Sequence, residues 1–280
     1  MDQSKRKALA LNAAKARLLA VQMVHGAASG HPGGSLSCLD VLTTLYFDVM
    51  NVDVNDPRKA DRDRFVMSKG HCSPAVYAVL ALKGFIPMDD LKLFRSINGH
   101  VSGHVEMNHV RGVDMSTGSL GQGISVAVGM ALAGKTQNKD YRVYSILGDG
   151  EINEGQVWEA FMCAAKFKLD NLCACIDVNG LQIDGTTAQV MPTEPLDKKL
   201  ESFGWHVIKI DGHDLDAIEA AYAEAAATKG KPTMILAKTV KGKGVSYMEN
   251  NVGWHGKAPN DEQMAQAAAE LEATIKELEG

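Results

Sequence analysis

Apolar positions along the chain alternate between short stretches typical of buried strands and longer stretches with a helical period. Five short stretches predict strands, and they lie at residues 64–67, 143–147, 172–176, 206–210 and 233–238. The longer stretches predict helices, and the main ones lie at residues 73–83, 119–133, 156–168 and 215–228. Because strands that alternate with helices form βαβ units, this pattern predicts an α/β fold: a doubly wound, mainly parallel sheet with helices on both faces.

The first fifty residues predict two more helices. Residues 5–28 are rich in Ala, Leu and Lys, and a second helix is expected from Ser35 or Ser37 to about Met50. The short apolar segment at 64–67 then begins the sheet.

Two long segments lack a sustained period and are expected to be loops. Residues 95–118 contain four glycines and three histidines, and the second loop follows the third strand up to about residue 195. Loops of this length inside a compact domain are usually functional. Since no internal repeat or low-complexity linker is present, residues 1–280 are expected to form a single domain.

The last twenty residues predict one amphipathic helix at about 260–279, with Asn260 as its N-cap and acidic residues in its first turn. This stripe favours packing on the chain's own core, with a partner helix as the alternative. Its apolar positions step by four and three residues, and they are Met264, Ala268, Leu271, Ile275 and Leu278.

Composition narrows the class of protein. Hydrophobic residues make up 45% and charged residues 22%, as in ordinary globular proteins. The net charge of -5 argues against a general nucleic-acid binder. Lysines and arginines interrupt the N-terminal apolar stretch, so no signal peptide is predicted, and nothing approaches the roughly 20 apolar residues that span a bilayer. The five cysteines never show Cys-x-x-Cys spacing, so a cytoplasmic location is expected.

Two predicted strands end in side chains that carry hard oxygen ligands. The strand at 143–147 runs into Gly148-Asp149-Gly150, and the strand at 172–176 leads to Asn179. Mg²⁺ prefers oxygen ligands and is usually shared with phosphates, and a glycine lets the backbone approach a phosphate closely. The pair therefore predicts a seat for a metal-bound diphosphate at the C-terminal edge of the sheet.

Four histidines lie beside glycines in separate loops. They are His31 after Ser29-Gly30, His71 after Gly70, His104 after Gly103, and His255 before Gly256. Imidazole can donate to phosphates or sugar hydroxyls and can move protons near neutral pH.

With these motifs the sequence closely resembles the N-terminal half of transketolase, a thiamine-diphosphate enzyme. The resemblance implies the diphosphate-binding, or PP-type, domain of the thiamine-diphosphate-binding fold. The matching motifs follow the family's order over nearly the whole chain, and they lie at residues 29–34, 63–65 with 68–71, 103–104, 117–123, 148–150 with 154–155, 179–185, 238–239 with 242–244, and 255–256.

The resemblance implies a role for each of these positions. Asp149 and Asn179 would bind Mg²⁺, or Ca²⁺, through side-chain oxygens, and Leu181 would bind it through its backbone carbonyl. The implied contacts to thiamine diphosphate come from Gly150, His71 and His255 at the diphosphate, Leu120 and Ile183 at the rings, and Gly118 at the aminopyrimidine.

The implied catalytic residues are His31, His104, His255 and Glu154. His31 and His104 would line the substrate channel and bond the ketose hydroxyls near the reacting carbon. Glu154 resembles the buried carboxylate that, in this family, links cofactor sites across the subunit interface.

The chain departs from the family pattern at two positions. Val105 and Ser119 stand where the family usually has proline, so the family pattern predicts the loop geometry around His104 less well than that around His31. His100 and His109 match no family residue. With His104 and Glu106 they offer a zinc site as an alternative, although their spacing is not that of a pair on one helix face.

Thiamine catalysis also needs a carboxyl group at N1′ of the aminopyrimidine and an apolar pocket for that ring. In transketolases both come from a second α/β domain, together with the arginines for the sugar phosphate. We therefore expect a separate C-terminal subunit that carries the pyrimidine-binding domain, in a heterotetramer with two copies of each subunit. A truncated piece of a longer chain is the alternative, and the capped final helix favours the natural subunit.

The resemblance implies transfer of a two-carbon ketol unit, and little activity without the partner. The donor would be a ketose phosphate such as xylulose 5-phosphate, and the acceptor ribose 5-phosphate or erythrose 4-phosphate, as in the pentose phosphate pathway. Two alternatives stay open. One is a related thiamine enzyme, such as a dihydroxyacetone or deoxyxylulose-phosphate synthase, and the other is a catalytically silent regulator that binds thiamine diphosphate.

Overall fold

A five-stranded sheet lies at the centre of the computed structural model, which describes residues 1–280. Its strands run parallel in the order β1-β2-β3-β7-β6, and β4 and β5 form a small antiparallel hairpin. The strands are β1 (Arg64–Met67), β2 (Val143–Gly148), β3 (Leu172–Val178), β4 (Leu181–Gln182), β5 (Gly185–Thr186), β6 (His206–Asp211) and β7 (Thr233–Lys238).

Ten α-helices connect and cover these strands. They are α1 (Gln3–Gly26), α2 (Pro32–Ser37), α3 (Leu39–Thr44), α4 (Ser73–Lys83), α5 (Gln122–Thr136), α6 (Gly155–Lys166), α7 (Thr187–Val190), α8 (Leu196–Ser202), α9 (Leu215–Ala227) and α10 (Asp261–Glu279). Single 3₁₀ turns lie at Gly70–Cys72, Glu151–Asn153 and Val252–Trp254, a longer 3₁₀ segment at Met88–Leu93, and a π turn at Leu45–Val49.

The sheet separates two hydrophobic cores, because successive strand residues point to opposite faces. Phe65 and Met67 of β1 point into the core that α1, α3, α4, α9 and α10 cover. Val66, between them, points into the core that α5, α6 and α8 cover. Since helices pack on both faces of a parallel sheet, the predicted doubly wound α/β fold is confirmed.

The structure differs from the predicted elements mainly in the loops and short helices. The helix expected at 119–133 begins at Gln122, because Gly121 has a φ of +82° and so lies in the left-handed region before the first turn. The second helix expected near the N-terminus is divided into α2, α3 and the π turn. Part of the loop expected up to residue 195 folds into the β4–β5 hairpin and α7, and α8 was not predicted.

The C-terminal helix α10 begins as predicted. Asn260 accepts from the N–H of Gln263, and the Gln263 side chain accepts from the N–H of Asn260, which makes a capping box. Leu271 is buried in the larger core, and Met264 packs against it. The apolar stripe of this helix therefore packs on the chain's own core.

A buried ion pair joins α1 to α3 and is linked to the turn between β6 and α9, on the same face of the sheet. The guanidinium of Arg17 donates to both carboxylate oxygens of Asp40, at 3.1 and 2.5 Å. His213 Nδ1 lies 2.7 Å from Asp40 Oδ2, and His213 Nε2 accepts from the N–H of Val240. Burial alone would raise the pKa of Asp40, but Arg17 and His213 lower it to about 2.

Replacing Asp40 by asparagine should lower the free energy of unfolding by about 3–5 kcal/mol at pH 7, because Arg17 would be left buried without its anion. Because the pKa of Asp40 is lowered, its ionised carboxylate contributes fully to the free energy of unfolding above about pH 4. That contribution is lost as the pH falls through 2. Urea denaturation at several pH values measures both effects. Asp61→Asn, at an exposed carboxylate, is the matched control, and an equal loss there would contradict the prediction.

Candidate active site

The C-terminal ends of β1, β2, β3 and β7 border one cavity of about 550 Å³. Ligand sites of open α/β sheets lie at this edge, and the volume is in the usual range for small-molecule sites. Among the predicted site residues only Glu154 does not line the cavity; those that line it are His31, His71, His104, Gly118, Leu120, Asp149, Gly150, Asn179, Leu181, Ile183 and His255.

Asp149 lies at the end of β2 and is buried beside the loop that follows β3. Its Oδ2 accepts from the N–H of Gly180 at 2.6 Å, and its Oδ1 accepts from the N–H of Gly150 at 2.9 Å. Burial and the negative charge of Asp177 raise the pKa of Asp149 to about 6. This carboxylate therefore lies where a cation would stabilise its charged form.

Asn179 is held by neighbours on both sides of its amide group. Its Nδ2 donates to Asp177 Oδ2 at 3.0 Å, and its Oδ1 accepts from the N–H of Leu181 at 3.1 Å. A carbonyl oxygen has two lone pairs, so Oδ1 keeps one for a further partner. Asp149, Asn179 and Leu181 are thus brought together by the sequence-distant ends of β2 and β3.

Asp177 and Lys69 form a fully buried ion pair beneath this loop. Lys69 Nζ donates to Asp177 Oδ2 at 2.6 Å and to the carbonyl of Gly34 at 2.8 Å. Ser37 and Thr239 also donate to the carboxylate of Asp177. Burial opposes both charges, but the pair raises the pKa of Lys69 and lowers that of Asp177.

Four histidine rings meet at the cavity, although they come from four separate loops. The ring centroid of His31 lies 5.1 Å from that of His71, 5.9 Å from that of His104 and 5.7 Å from that of His255. Burial, followed by nearby positive groups, lowers the pKa of His31 and of His71 to about 4 and that of His255 to about 3. These rings are therefore neutral at pH 7.

The neutral histidines predict a loss of stability on acidification. Below about pH 6.5 these histidines bind protons in the unfolded chain, whereas in the folded chain His31 and His71 stay neutral until about pH 4. The free energy of unfolding should therefore fall as the pH is lowered from 6.5 to 4. His71→Gln should flatten this dependence by at most about 1.4 kcal/mol per pH unit. Urea denaturation between pH 7 and 4 tests this. The exposed His109→Gln is the control, and an unchanged slope for His71→Gln would contradict the prediction.

The two family prolines are replaced by residues with different surroundings. Val105 is buried, and its N–H donates to the carbonyl of Gly70 at 3.1 Å, a bond that proline could not make. That bond ties the loop of His104 to the loop of His71. Gly118 lies against His104, and a Cβ at Gly118 would lie 3.1 Å from that ring. Ser119 is exposed.

Lys241 is a site residue that was not predicted. It is buried, and its Nζ lies 2.9 Å from His255 Nδ1 and 3.5 Å from the carbonyl of Leu181. Burial lowers its pKa, and the charge of Asp149 acts in the opposite direction. The sequence offered one signal, because Lys241 lies between two matched motifs, residues 238–239 and 242–244.

Glu151 is a buried residue of the cavity for which no role was predicted. Its side chain accepts from Ser68 Oγ at 2.5 Å and from the N–H groups of Gly121 and Gly148 at 3.0 Å. Burial raises its pKa. Glu151 therefore ties the loops after β1 and β2 to the loop before α5.

The donor set of the cavity fits a metal-bound diphosphate with an attached polar heterocycle. Asp149 and Asn179 offer side-chain oxygens, and Lys241 and the histidines offer donors. Two buried polar atoms of lining residues, His31 Nδ1 and Gln182 Oε1, have no hydrogen-bond partner within the protein, as expected where a ligand supplies it. A Cβ at Gly150 would lie 2.6 Å from the Gln182 side chain, so any larger residue would force that side chain to shift.

The family model described as transketolase, thiamine diphosphate binding domain, matches residues 8–276 of the chain. The chain belongs to this family. It is a transketolase-type domain that binds thiamine diphosphate, as the resemblance implied.

Relatives of the transketolase family include both separate subunits and longer chains. The 6-deoxy-6-sulfo-D-fructose transketolase subunit SqwG of Clostridium sp. is 46% identical over 91% of this chain and 93% of its own length. An apulose-4-phosphate transketolase subunit of Phocaeicola vulgatus is 44% identical over 97% of this chain and 96% of its own length. The chain therefore corresponds to an N-terminal subunit of this family.

Among solved structures, the transketolase of Campylobacter jejuni matches with a TM-score of 0.89 and 32% identity, covering 99% of this chain. The Leishmania mexicana transketolase matches with a TM-score of 0.88 and 35% identity, covering 97% of it. The chain spans 46% and 45% of the length of those two chains. No helix of the transketolase-type chain has both the length and the apolar composition required to cross a bilayer.

Two predicted features of this transketolase-type domain lie outside the cavity. Glu154 is exposed at the N-cap of α6, and its role at a subunit interface stays a prediction. His100 pairs with Asp90, whereas His109 pairs with Glu106, and no cluster of three or more His, Cys, Asp or Glu side chains could hold a metal. The alternative of a zinc site is therefore not supported.

Proposed function

We propose that the chain is the thiamine-diphosphate-binding subunit of a two-component transketolase. With a C-terminal subunit that carries the pyrimidine-binding domain, it would transfer a two-carbon ketol unit between sugar phosphates. One observation carries this proposal: the oxygen ligands of Asp149 and Asn179 and four neutral histidines line one cavity at the C-terminal edge of the sheet.

The metal and the diphosphate would be held by residues that follow four strands, β1, β2, β3 and β7. Asp149, Asn179 and the carbonyl of Leu181 would bind Mg²⁺, and Ca²⁺ could use the same oxygens. His71, His255 and Lys241 would donate to the diphosphate, and the backbone at Gly150 would lie close to it. When bound, thiamine diphosphate supplies the electron sink for the two-carbon unit.

The remaining histidines would bind the sugar. His31 and His104 are neutral at pH 7, so each ring offers one donor and one acceptor to ketose hydroxyls.

Leu120 and Ile183 would pack on the cofactor rings. Ile183, Val190 and Met191 are 64%, 44% and 56% exposed around the cavity, and we infer that the partner subunit covers them.

The relatives named as separate subunits support a partner, and two copies of each subunit would make a heterotetramer with cofactor sites at the interfaces. A cytoplasmic location fits the sugar-phosphate substrates. Glu154 would link the two cofactor sites within such an assembly.

The test combines the purified chain with the C-terminal subunit, thiamine diphosphate, Mg²⁺, xylulose 5-phosphate and ribose 5-phosphate. Sedoheptulose 7-phosphate should form in the mixture and not when either protein is tested by itself. Robust turnover by this chain without a partner would overturn the two-component proposal. Cofactor binding without any product, over a broad range of donors, would instead favour the silent regulator.

A different ketose donor is a second candidate, because the separate-subunit relatives are named for apulose 4-phosphate and 6-deoxy-6-sulfofructose. In the same mixture, kcat/KM is measured for each of these two donors and for xylulose 5-phosphate, always with the same acceptor. The three values rank the donors. Product only in assays for dihydroxyacetone synthase or deoxyxylulose-phosphate synthase would favour a related thiamine enzyme. A preference for xylulose 5-phosphate would support a place in the pentose phosphate pathway.

A further inference from the structure

We infer that Asp177 is a positioning residue, which orients the amide of Asn179 so that its oxygen faces the proposed metal seat. The inference adds a residue to the proposed function. It rests on that function wherever metal binding is the quantity measured. Its basis is a hydrogen-bond network in which the ammonium of Lys69 can only donate and the carboxylate of Asp177 can only accept.

Asp177 can act only as an acceptor toward Asn179. Its Oδ2 lies 2.6 Å from Lys69 Nζ, and an ammonium group carries donors and no acceptor. The same oxygen lies 3.0 Å from the Asn179 amide. Since a carboxylate oxygen that already accepts from an ammonium offers no proton, Asn179 must present its Nδ2 there.

The orientation of the amide then fixes the position of its oxygen. With Nδ2 toward Asp177, Oδ1 lies on the opposite side, where it accepts from the N–H of Leu181 at 3.1 Å. Gly180, which lies between Asn179 and Leu181, donates its N–H to Asp149 at 2.6 Å. A reversed amide would place its NH₂ group against the N–H of Leu181 and would remove an oxygen ligand from the seat.

Asp177 is itself immobilised from several elements. Ser37 Oγ of α2 lies 2.6 Å from its Oδ2, Lys69 comes from the loop after β1, and Thr239 follows β7 and donates to Oδ1. Both Asp177 and Lys69 are almost completely buried, at 1% and 2% exposure. The acceptor that orients Asn179 therefore has little freedom to move.

The central experiment replaces Asp177 by alanine in the full chain. Alanine removes the oxygen that accepts from Nδ2 of Asn179, so the Asn179 amide loses its imposed orientation. We expect the affinity for Mn²⁺, measured by electron paramagnetic resonance of free Mn²⁺ at saturating thiamine diphosphate, to fall about 10–100-fold, as for other residues that orient metal ligands.

Thr239→Val is the matched control, because it removes a buried donor from the other oxygen of the same carboxylate. It should change the Mn²⁺ affinity less than about threefold, even where it lowers the melting temperature. A double-mutant cycle completes the design: in an Asn179→Ala chain, Asp177→Ala should have no further effect on Mn²⁺ affinity. An equal loss in Thr239→Val, or an undiminished loss in the Asn179→Ala chain, would overturn the inference.

A second measurement needs neither metal nor a folded Asp177 variant. In the wild-type chain, the side-chain amide protons of Asn179, assigned in ¹⁵N–¹H spectra by their disappearance in Asn179→Asp, should include one shifted downfield and protected from solvent exchange. Averaged, rapidly exchanging amide protons would contradict the inference. If the wild-type chain shows this signature and yet binds no Mn²⁺ with thiamine diphosphate, the proposed function fails while the orientation of Asn179 by Asp177 stands.

Discussion

Replacing Asp149 by alanine should abolish metal-dependent binding of thiamine diphosphate. Asp149 is the only carboxylate among the three proposed metal ligands, and its loss would leave an amide and a backbone carbonyl. We expect an affinity loss of more than about 100-fold, since changes to residues that merely support ligands already cost 10–100-fold. Isothermal titration calorimetry with thiamine diphosphate and Mg²⁺ measures it.

The same variant should not lose stability in the absence of cofactor. Because the pKa of Asp149 is raised to about 6, its charged form costs free energy of folding at pH 7, and that cost disappears with the carboxylate. Urea denaturation of the cofactor-free chain checks this sign. Asp184→Ala, at an exposed carboxylate that also lines the cavity, is the control. Unchanged cofactor affinity in Asp149→Ala would refute the metal assignment.

The second large effect is expected for His31→Ala in the assembled enzyme. His31 Nδ1 is buried without a protein partner, and its ring contacts those of three other histidines at the cavity. If His31 bonds the ketose near the reacting carbon, kcat/KM should fall about 10²–10⁴-fold, the range typical of groups that assist proton transfer.

Steady-state kinetics with a ketose phosphate donor measures this effect, and calorimetry should show thiamine diphosphate affinity within about threefold of the wild type. His100→Ala is the matched control, because His100 also lies in a loop but pairs with Asp90 away from the cavity. If His31→Ala lost its affinity for thiamine diphosphate completely, His31 would have to be assigned to cofactor binding and not to substrate binding.

The strands of this fold could be predicted from sequence because burial on both faces leaves a simple signal. The stretch 172–176 is uninterrupted apolar sequence, and β3 is Leu172–Val178 in the structure. The short elements gave no such signal. Helix α8 buries only Leu196 and Leu200, so two apolar positions could not distinguish it from a loop.

Some residues of the candidate site could likewise be predicted from the sequence, and others could not. His31 and Asp149 stand beside glycines in matched motifs, which made them visible in the sequence. Lys69 and Asp177 did not stand out, because nothing in a linear sequence tells that a lysine will be buried at 2% exposure against an aspartate 108 positions away. Such pairs arise from sheet order, and β1 and β3 are separated in the sheet by β2.

The sheet order has a consequence for synthesis of the protein. The cavity draws on residues from His31 to His255, and β7 enters between β3 and β6 only after β6 and α9 have been made. A nascent chain on the ribosome therefore cannot assemble the cavity until residues up to His255 have left the exit tunnel. Cofactor would be captured only after that point, so its uptake would report that the whole sheet has folded.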